Sequence, residues 1–261
     1  MARNSQARKA KKNTVHDEYY IDMENAKAIL EGPKKKKWTF HDIKSIKPIT
    51  EAQRQLFESY YYGNHIVANG SAGTGKTFLA LWLGLNSVLN PEEKQKKIII
   101  VRSNVSTGAQ VGHLPGSLQE KMEPYEVPYK DILADLCGKS STYEDMKDAG
   151  IIEFMPTAFI RGLTWSDSII IIDEAQNMDD MSIHSIMTRV GKNSRVFVCG
   201  DISQNDLKYD RKLQSGCNRM VNILNKMEDV DTITFTKHDI VRSGFARLGS
   251  LRPKKLTGVY K

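Results

Sequence analysis

Residues Gly70, Ser71, Ala72, Gly73, Thr74, Gly75, Lys76 and Thr77 stand in an order and spacing suited to holding phosphate. The glycines let the backbone curl until successive N–H groups converge, and a loop that then runs into a helix adds that helix's positive end. Lys76 can reach the terminal phosphates, and the Thr77 hydroxyl is placed for Mg²⁺. Ile66-Val67-Ala68 precedes the loop, and Phe78 opens the apolar run Leu79 to Leu83 behind it. Strand, glycine-rich turn and helix are the context this motif requires, so the segment predicts a nucleoside triphosphate site with contacts from Gly70 to Phe78.

A second group stands at the end of another apolar run. Ile169 to Ile172 lead into Asp173-Glu174-Ala175-Gln176, which delivers two carboxylates to the edge of a strand, where open α/β sheets bind ligands. Asp173 is the candidate for Mg²⁺. Glu174 is the candidate for orienting and deprotonating a water, which favours hydrolysis over phosphoryl transfer to a small substrate. A third run, Arg195 to Cys199, ends in Gly200-Asp201-Ile202-Ser203-Gln204, and Gln204 is a candidate γ-phosphate sensor. Gln53, 17 residues before Gly70, can reach an adenine edge from the preceding helix, although a surface glutamine is the commoner occupant of such a position. Asn225-Lys226-Met227-Glu228 carries Glu where a guanine-reading motif needs Asp, so ATP is expected over GTP.

These groups need a scaffold, and the hydropathy pattern supplies one. Apolar, β-branched segments recur at 65–69, 97–102, 151–155, 168–172, 195–199 and 231–235, most of them separated by long stretches, several with helical patterning. This is the pattern of an α/β fold with a mostly parallel sheet and helices on both faces. Residues 1–48 read as a basic extension, short of apolar residues up to about residue 16, with a short helix over 17–32. Residues 49–261 read as a single domain, entered through Thr50 as the cap of a helix. Residues 104–150, with Pro115, Pro124 and Pro128, form a long connection.

Charge is segregated along the 261 residues. Residues 1–48 hold 12 Lys/Arg against 6 Asp/Glu and residues 240–261 hold 6 against none, whereas residues 49–239 hold 20 against 25. The net charge of +7 therefore belongs to the two ends. Lys34 to Lys37 beside Trp38 and Phe40, and Arg8 to Lys12 near Tyr19 and Tyr20, pair phosphate-neutralising charge with rings suited to base stacking. RNA or single-stranded DNA is the expected partner. Solvated tails that only maintain solubility are the alternative for such runs. The longest aliphatic runs are far too short to span a bilayer, so no membrane association is expected. Cys137, Cys199 and Cys217 show neither paired number nor metal-ligand spacing, which suits a reducing cytoplasm.

In sequence the chain closely resembles the PhoH family of P-loop ATPases, whose members include many bacteriophage proteins. The resemblance covers roughly residues 47–245. Six segments carry it in order: Gly70 to Thr77, Gly112 to Lys121 followed by Pro124-Tyr125, Ile160-Arg161-Gly162, Asp173 to Asn177, Gly200 to Gln204, and Asp239 to Ser243. It implies a RecA-like P-loop NTPase core similar to the first motor domain of superfamily 1 helicases, with ATPase activity and a link to RNA or DNA processing. It also makes Gln204 part of a helicase-like third motif and Gln53 an adenine contact. Arg161 and Arg242 become candidates for the arginine that neutralises transition-state charge, each with a structural ion pair as its alternative. Ser103, Lys208 and Ser243 depart from the family pattern in loops near the third phosphate.

Superfamily 1 motors close the ATP site between two RecA-like domains, and this length accommodates one. A homo-oligomeric ring, with a hexamer favoured, is therefore expected to complete the site, with Arg161 or Arg242 acting across the interface. No nuclease activity is expected from the short basic extension. Two classes of function fit: an ATPase that translocates on or unwinds nucleic acid, and a regulatory or protein-remodelling ATPase whose basic ends only localise it.

Overall fold

Ile98-Ile99-Ile100-Val101 and Ile169-Ile170-Ile171-Ile172 lack polar alternation, so strands built from them must be covered on both faces. The computed structural model of the protein describes residues 36–103, 118–160, 162–201 and 217–241. Within them, β1 (His65–Gly70), β2 (Lys97–Arg102), β3 (Ile152–Pro156), β4 (Ser168–Asp173), β5 (Arg195–Gly200) and β6 (Val230–Phe235) form one sheet in the order β3-β2-β4-β5-β1-β6. Every pairing is parallel. The six strands coincide with the six apolar segments of the sequence.

Period-two alternation divides the strands between two cores. Ile66, Ala68, Ile98, Ile100, Ile169, Ile171 and Phe197 face one side. Val67, Ile99, Val101, Ile170, Ile172, Val196 and Val198 face the other. The first side is covered by α1 (Glu51–Tyr62), α2 (Lys76–Val88), α3 (Leu118–Cys137) and α4 (Thr142–Asp148). The second is covered by α5 (Asp180–Met187) and α6 (Cys217–Leu224) together with Trp165 and Met178.

Thr50 caps α1 by accepting from Gln53 N at 3.3 Å, as its position predicts. α3 contains Pro124 and Pro128 within its span, inside what reads from sequence as a long connection. An internal proline costs a helix about 3 kcal/mol. Met122, Tyr129, Leu133 and Leu136 offset that cost, because their helical spacing buries them against the sheet.

The compact unit begins at Trp38. Residues 38–48, grouped by sequence with the basic extension, therefore belong to the folded core. Trp38 and Ile43 are buried, Trp82 Nε1 donates to Lys44 O at 2.8 Å, and Lys44 N donates to Leu136 O at 2.8 Å. Trp38 is thus a core residue and not a ring open to bases, whereas Phe40 is exposed. The short helix expected over 17–32 lies outside the described residues.

The order of the strands decides which groups meet. β5 lies between β1, which leads into the glycine loop, and β4, which ends in Asp173. All strands run the same way, so the ends of β1, β2, β4 and β5 open on one edge of the sheet. The chemistry of the chain is gathered there.

Candidate functional site

β1 ends on Gly70, which is in register with Phe235 of β6. A Cβ on Gly70 would lie 2.0 Å from the Phe235 carbonyl oxygen, so the strand can turn into the loop here only without a side chain. Gly75 takes a left-handed φ of 85° as the N-cap of α2, and Leu79 N donates to its carbonyl at 2.9 Å. The helix N-terminus therefore opens directly on the loop. Thr74 Oγ1 donates to Ser71 O at 3.0 Å, and Lys76 Nζ donates to Gly70 O at 2.6 Å and Ser71 O at 2.8 Å. Burial lowers the Lys76 pKa from its ordinary value, while the neighbouring Asp201, Glu174 and Asp173 oppose that fall.

The carboxylates arrive at the same edge. Thr77 Oγ1 donates to Asp173 Oδ1 at 2.7 Å, joining the start of α2 to the end of β4. Tyr129 OH, from α3, donates to Asp173 Oδ2 at 2.8 Å. Arg102 ends β2 in register with Asp173, and its charge stands close enough to Tyr129 to oppose part of the rise in the phenol's pKa. Burial pushes the Tyr129 phenol well above its ordinary range, and the Asp173 charge adds to that, so the hydroxyl keeps its proton. Glu174 follows Asp173 at φ 51°, a left-handed conformation uncommon outside glycine. Its Oε2 accepts from Gln176 Nε2 at 2.5 Å, and Gln176 Oε1 accepts from Asp201 N at 3.1 Å.

A cavity of about 950 Å³ runs along this edge. Lys76, Thr77, Asp173 and Glu174 line it together with the apolar Ile46, Ile49, Phe78, Ile132 and Val241. Polar groups for phosphate and apolar wall for a base thus share one cavity, of a size typical of ligand sites. Gln53 also lines it, buried, with its Oε1 accepting from Ile49 N at 3.0 Å. Asp239 Oδ2 accepts from Thr236 N at 2.8 Å, and Val241 N donates to Gly73 O at 3.2 Å. The segment after β6 is thereby tied to the glycine loop.

The structure therefore brings together Gln53, the loop from Gly70 to Phe78, Asp173 and Glu174. Gln204, Arg161 and Arg242 lie outside the described residues. Sequence reasoning did not single out Arg102, Tyr129, Gln176 or Asp239. Arg102 is signalled by its place at the end of an apolar parallel strand, and Gln176 and Asp239 by their motifs. No signal marks Tyr129, whose spacing reads only as the apolar face of a helix.

A parallel sheet with the glycine loop after β1, an acidic pair after β4 and β5 between them defines a P-loop α/β fold of RecA-like type. The family model of the PhoH-like proteins matches residues 45–248, and the chain belongs to that family. It is 36% identical over 199 residues to the PhoH-like protein of Bacillus subtilis, covering 76% of this chain and 61% of that protein. It is 31% identical over 210 residues to Protein PhoH of Escherichia coli K12, covering 79% of this chain and 58% of that one. The chain thus spans about six-tenths of the length of these relatives. Among solved structures, the Sulfolobus solfataricus SWI2/SNF2 ATPase core in complex with dsDNA is similar at a TM-score of 0.41 and 12% identity, over 74% of this chain and 45% of that one. No helix among the described residues is long and apolar enough to cross a membrane.

Proposed function

We propose that this chain is a Mg²⁺-dependent ATP hydrolase whose turnover is coupled to binding of RNA or single-stranded DNA. The observation that carries the hydrolase reading is the 2.7 Å bond between Thr77 and Asp173, with Glu174 one residue on, across a cavity shared with the glycine loop. Thr77 and Asp173 offer hard oxygen donors, which suit Mg²⁺. No group of three or more His, Cys, Asp or Glu that could hold an ion occurs among the described residues, which suits a cation shared with nucleotide phosphates rather than caged by protein alone. Bound with nucleotide, the ion would neutralise phosphate charge.

The chain's own groups do the rest. Loop N–H groups and Lys76 hold the phosphates. Glu174, oriented by Gln176, positions a water against the terminal phosphate and takes its proton. Gln53 and the apolar wall receive the adenine. Lys47 and Lys76 are the only cations among the described residues that line the cavity, so the charge-neutralising arginine falls to Arg161 or Arg242, in the same chain or across a homo-oligomeric ring. The basic ends of the chain, at residues 1–48 and 240–261, favour a polyanionic partner.

The test is ATP hydrolysis by the wild-type chain and Glu174→Gln, with and without single-stranded RNA or DNA and at rising salt. Stimulation that fades with salt, together with loss of turnover but not of ATP binding in Glu174→Gln, is the expected result. Hydrolysis indifferent to nucleic acid would transfer the assignment to a regulatory or protein-remodelling ATPase. No hydrolysis by wild type under any of these conditions overturns the hydrolase reading.

A further inference from the structure

Both carboxylate oxygens of Asp173 accept from hydroxyls of this chain, and only one of those hydroxyls belongs to the glycine-loop motif. Thr77 holds Oδ1 at 2.7 Å, and Tyr129 holds Oδ2 at 2.8 Å. Tyr129 is fully buried, and its ring centroid lies 5.9 Å from that of Phe154. A phenylalanine would fill this apolar site equally well, so packing alone does not call for the hydroxyl, which costs free energy to bury unless it is bonded. Here the phenol donates to Asp173, and Arg102 stands in register with Asp173 on the neighbouring strand. Tyr129 thus ties α3 to the end of β4 through a single buried hydrogen bond. With Oδ2 anchored, the carboxylate cannot rotate, and Oδ1 is presented to Thr77 and the cavity.

We propose that Tyr129 is a positioning residue for metal–nucleotide binding, fixing the Asp173 carboxylate so that one oxygen is presented on the Thr77 side. This rests on the reading of Thr77 and Asp173 as the Mg²⁺ side of a nucleotide site. Groups that orient a metal ligand from behind commonly change metal affinity by about 10- to 100-fold when removed, while leaving contacts to the rest of the ligand in place. The hydroxyl of Tyr129 meets that description, since it touches Asp173 and does not line the cavity.

The experiment is equilibrium binding of a fluorescent ADP analogue to the wild-type chain and Tyr129→Phe, first in EDTA and then across a MgCl₂ series, with thermal unfolding of both proteins. The expected result is equal affinity in EDTA and a Mg²⁺ midpoint about tenfold higher in Tyr129→Phe. A midpoint within about twofold of wild type, or an equal loss of affinity in EDTA and in Mg²⁺, overturns the proposal, the second outcome marking a merely structural hydroxyl. A wild-type chain whose affinity ignores Mg²⁺ overturns both this proposal and the metal-site reading beneath it. If Tyr129→Phe fails to fold, Tyr129→Met, which also removes the hydroxyl but adapts to an apolar site, takes its place with the same outcomes.

Discussion

Gln176 Nε2 lies 2.5 Å from Glu174 Oε2 while its own Oε1 accepts the Asp201 N–H at 3.1 Å, so one amide spans the ends of β4 and β5. Glu174 sits in a left-handed conformation, where its carboxylate direction is set by the backbone and by its bond to Gln176. Replacing Gln176 with Leu removes both the donor to Glu174 and the Oε1 that accepts from Asp201 N. Misplacing a catalytic group by about 1 Å costs about 100-fold in rate. The expected outcome for Gln176→Leu is therefore a kcat lower by about 100-fold with nucleotide affinity little changed. Gly200→Ala is expected to lower kcat in the same direction, since its Cβ would lie 2.8 Å from Gln176 Oε1. Steady-state kinetics beside equilibrium nucleotide binding separates the two quantities.

Gly70 is where the glycine loop leans on the sheet. Its φ is 145°, and a Cβ would meet the Phe235 carbonyl oxygen at 2.0 Å and its carbon at 2.8 Å. Those atoms belong to a strand paired in register with β1 from His65 to Gly70, so they cannot retreat without opening the β1–β6 ladder. Gly70→Ala is expected to destabilise the fold by about 3 kcal/mol or more, well beyond the cost of an ordinary surface change. Urea unfolding would show a lowered midpoint. A midpoint unchanged from wild type would sink this account of the strand-to-loop turn.

The strands and the phosphate loop were legible because each is local. Ile98 to Val101 and Ile169 to Ile172 announce burial on both faces by composition alone, and the loop from Gly70 to Thr77 needs only its flanking strand and helix to be recognised. Asp173 and Glu174 were legible because a parallel strand can deliver its last residues to only one edge. What was not legible depends on contacts between distant segments. Trp38 looks like a surface ring beside lysines until the Lys44 backbone bonds to Trp82 and Leu136 and draws the segment into the core. Tyr129 acquires a partner only when α3 packs over the sheet, 44 residues in sequence from Asp173. Pro124 and Pro128 argue locally against the helix that contains them, and tertiary burial of its apolar face prevails.

Gln53 lies in the cavity wall with its Oε1 engaged by Ile49 N at 3.0 Å, while its Nε2 lies 3.9 Å from where a Cβ on Gly75 would be. The amide therefore stands between the apolar wall and the glycine loop, with its NH₂ group as the remaining donor. Gln53→Glu keeps an acceptor for Ile49 but replaces that donor with carboxylate charge beside the expected phosphates. ATP affinity is expected to fall by about fivefold, in line with the roughly 1 kcal/mol that a neutral hydrogen bond contributes. Isothermal titration with ATP checks this. Unchanged affinity would place the adenine elsewhere on the cavity wall.

His65 supplies the pH dependence of the fold. Its Nδ1 accepts the Val196 N–H at 3.0 Å, which requires an unprotonated nitrogen, and its Nε2 lies 3.7 Å from Asp229 Oδ2. Burial lowers the His65 pKa from its ordinary value of 6.5, Asp229 opposes that fall and Arg195 adds to it. The unfolded chain thus binds the His65 proton more readily than the folded one, so stability rises with pH through this window and is lost as pH falls from about 6.5 toward the lower folded value. The urea midpoint of wild type is expected to be flat above about pH 7.5 and to begin falling near about pH 6.5, ahead of the ordinary carboxylate range. His65→Asn has no imidazole to titrate and is expected to flatten that part of the profile while starting from a lower midpoint. An equally steep fall in the variant would assign the dependence to another group.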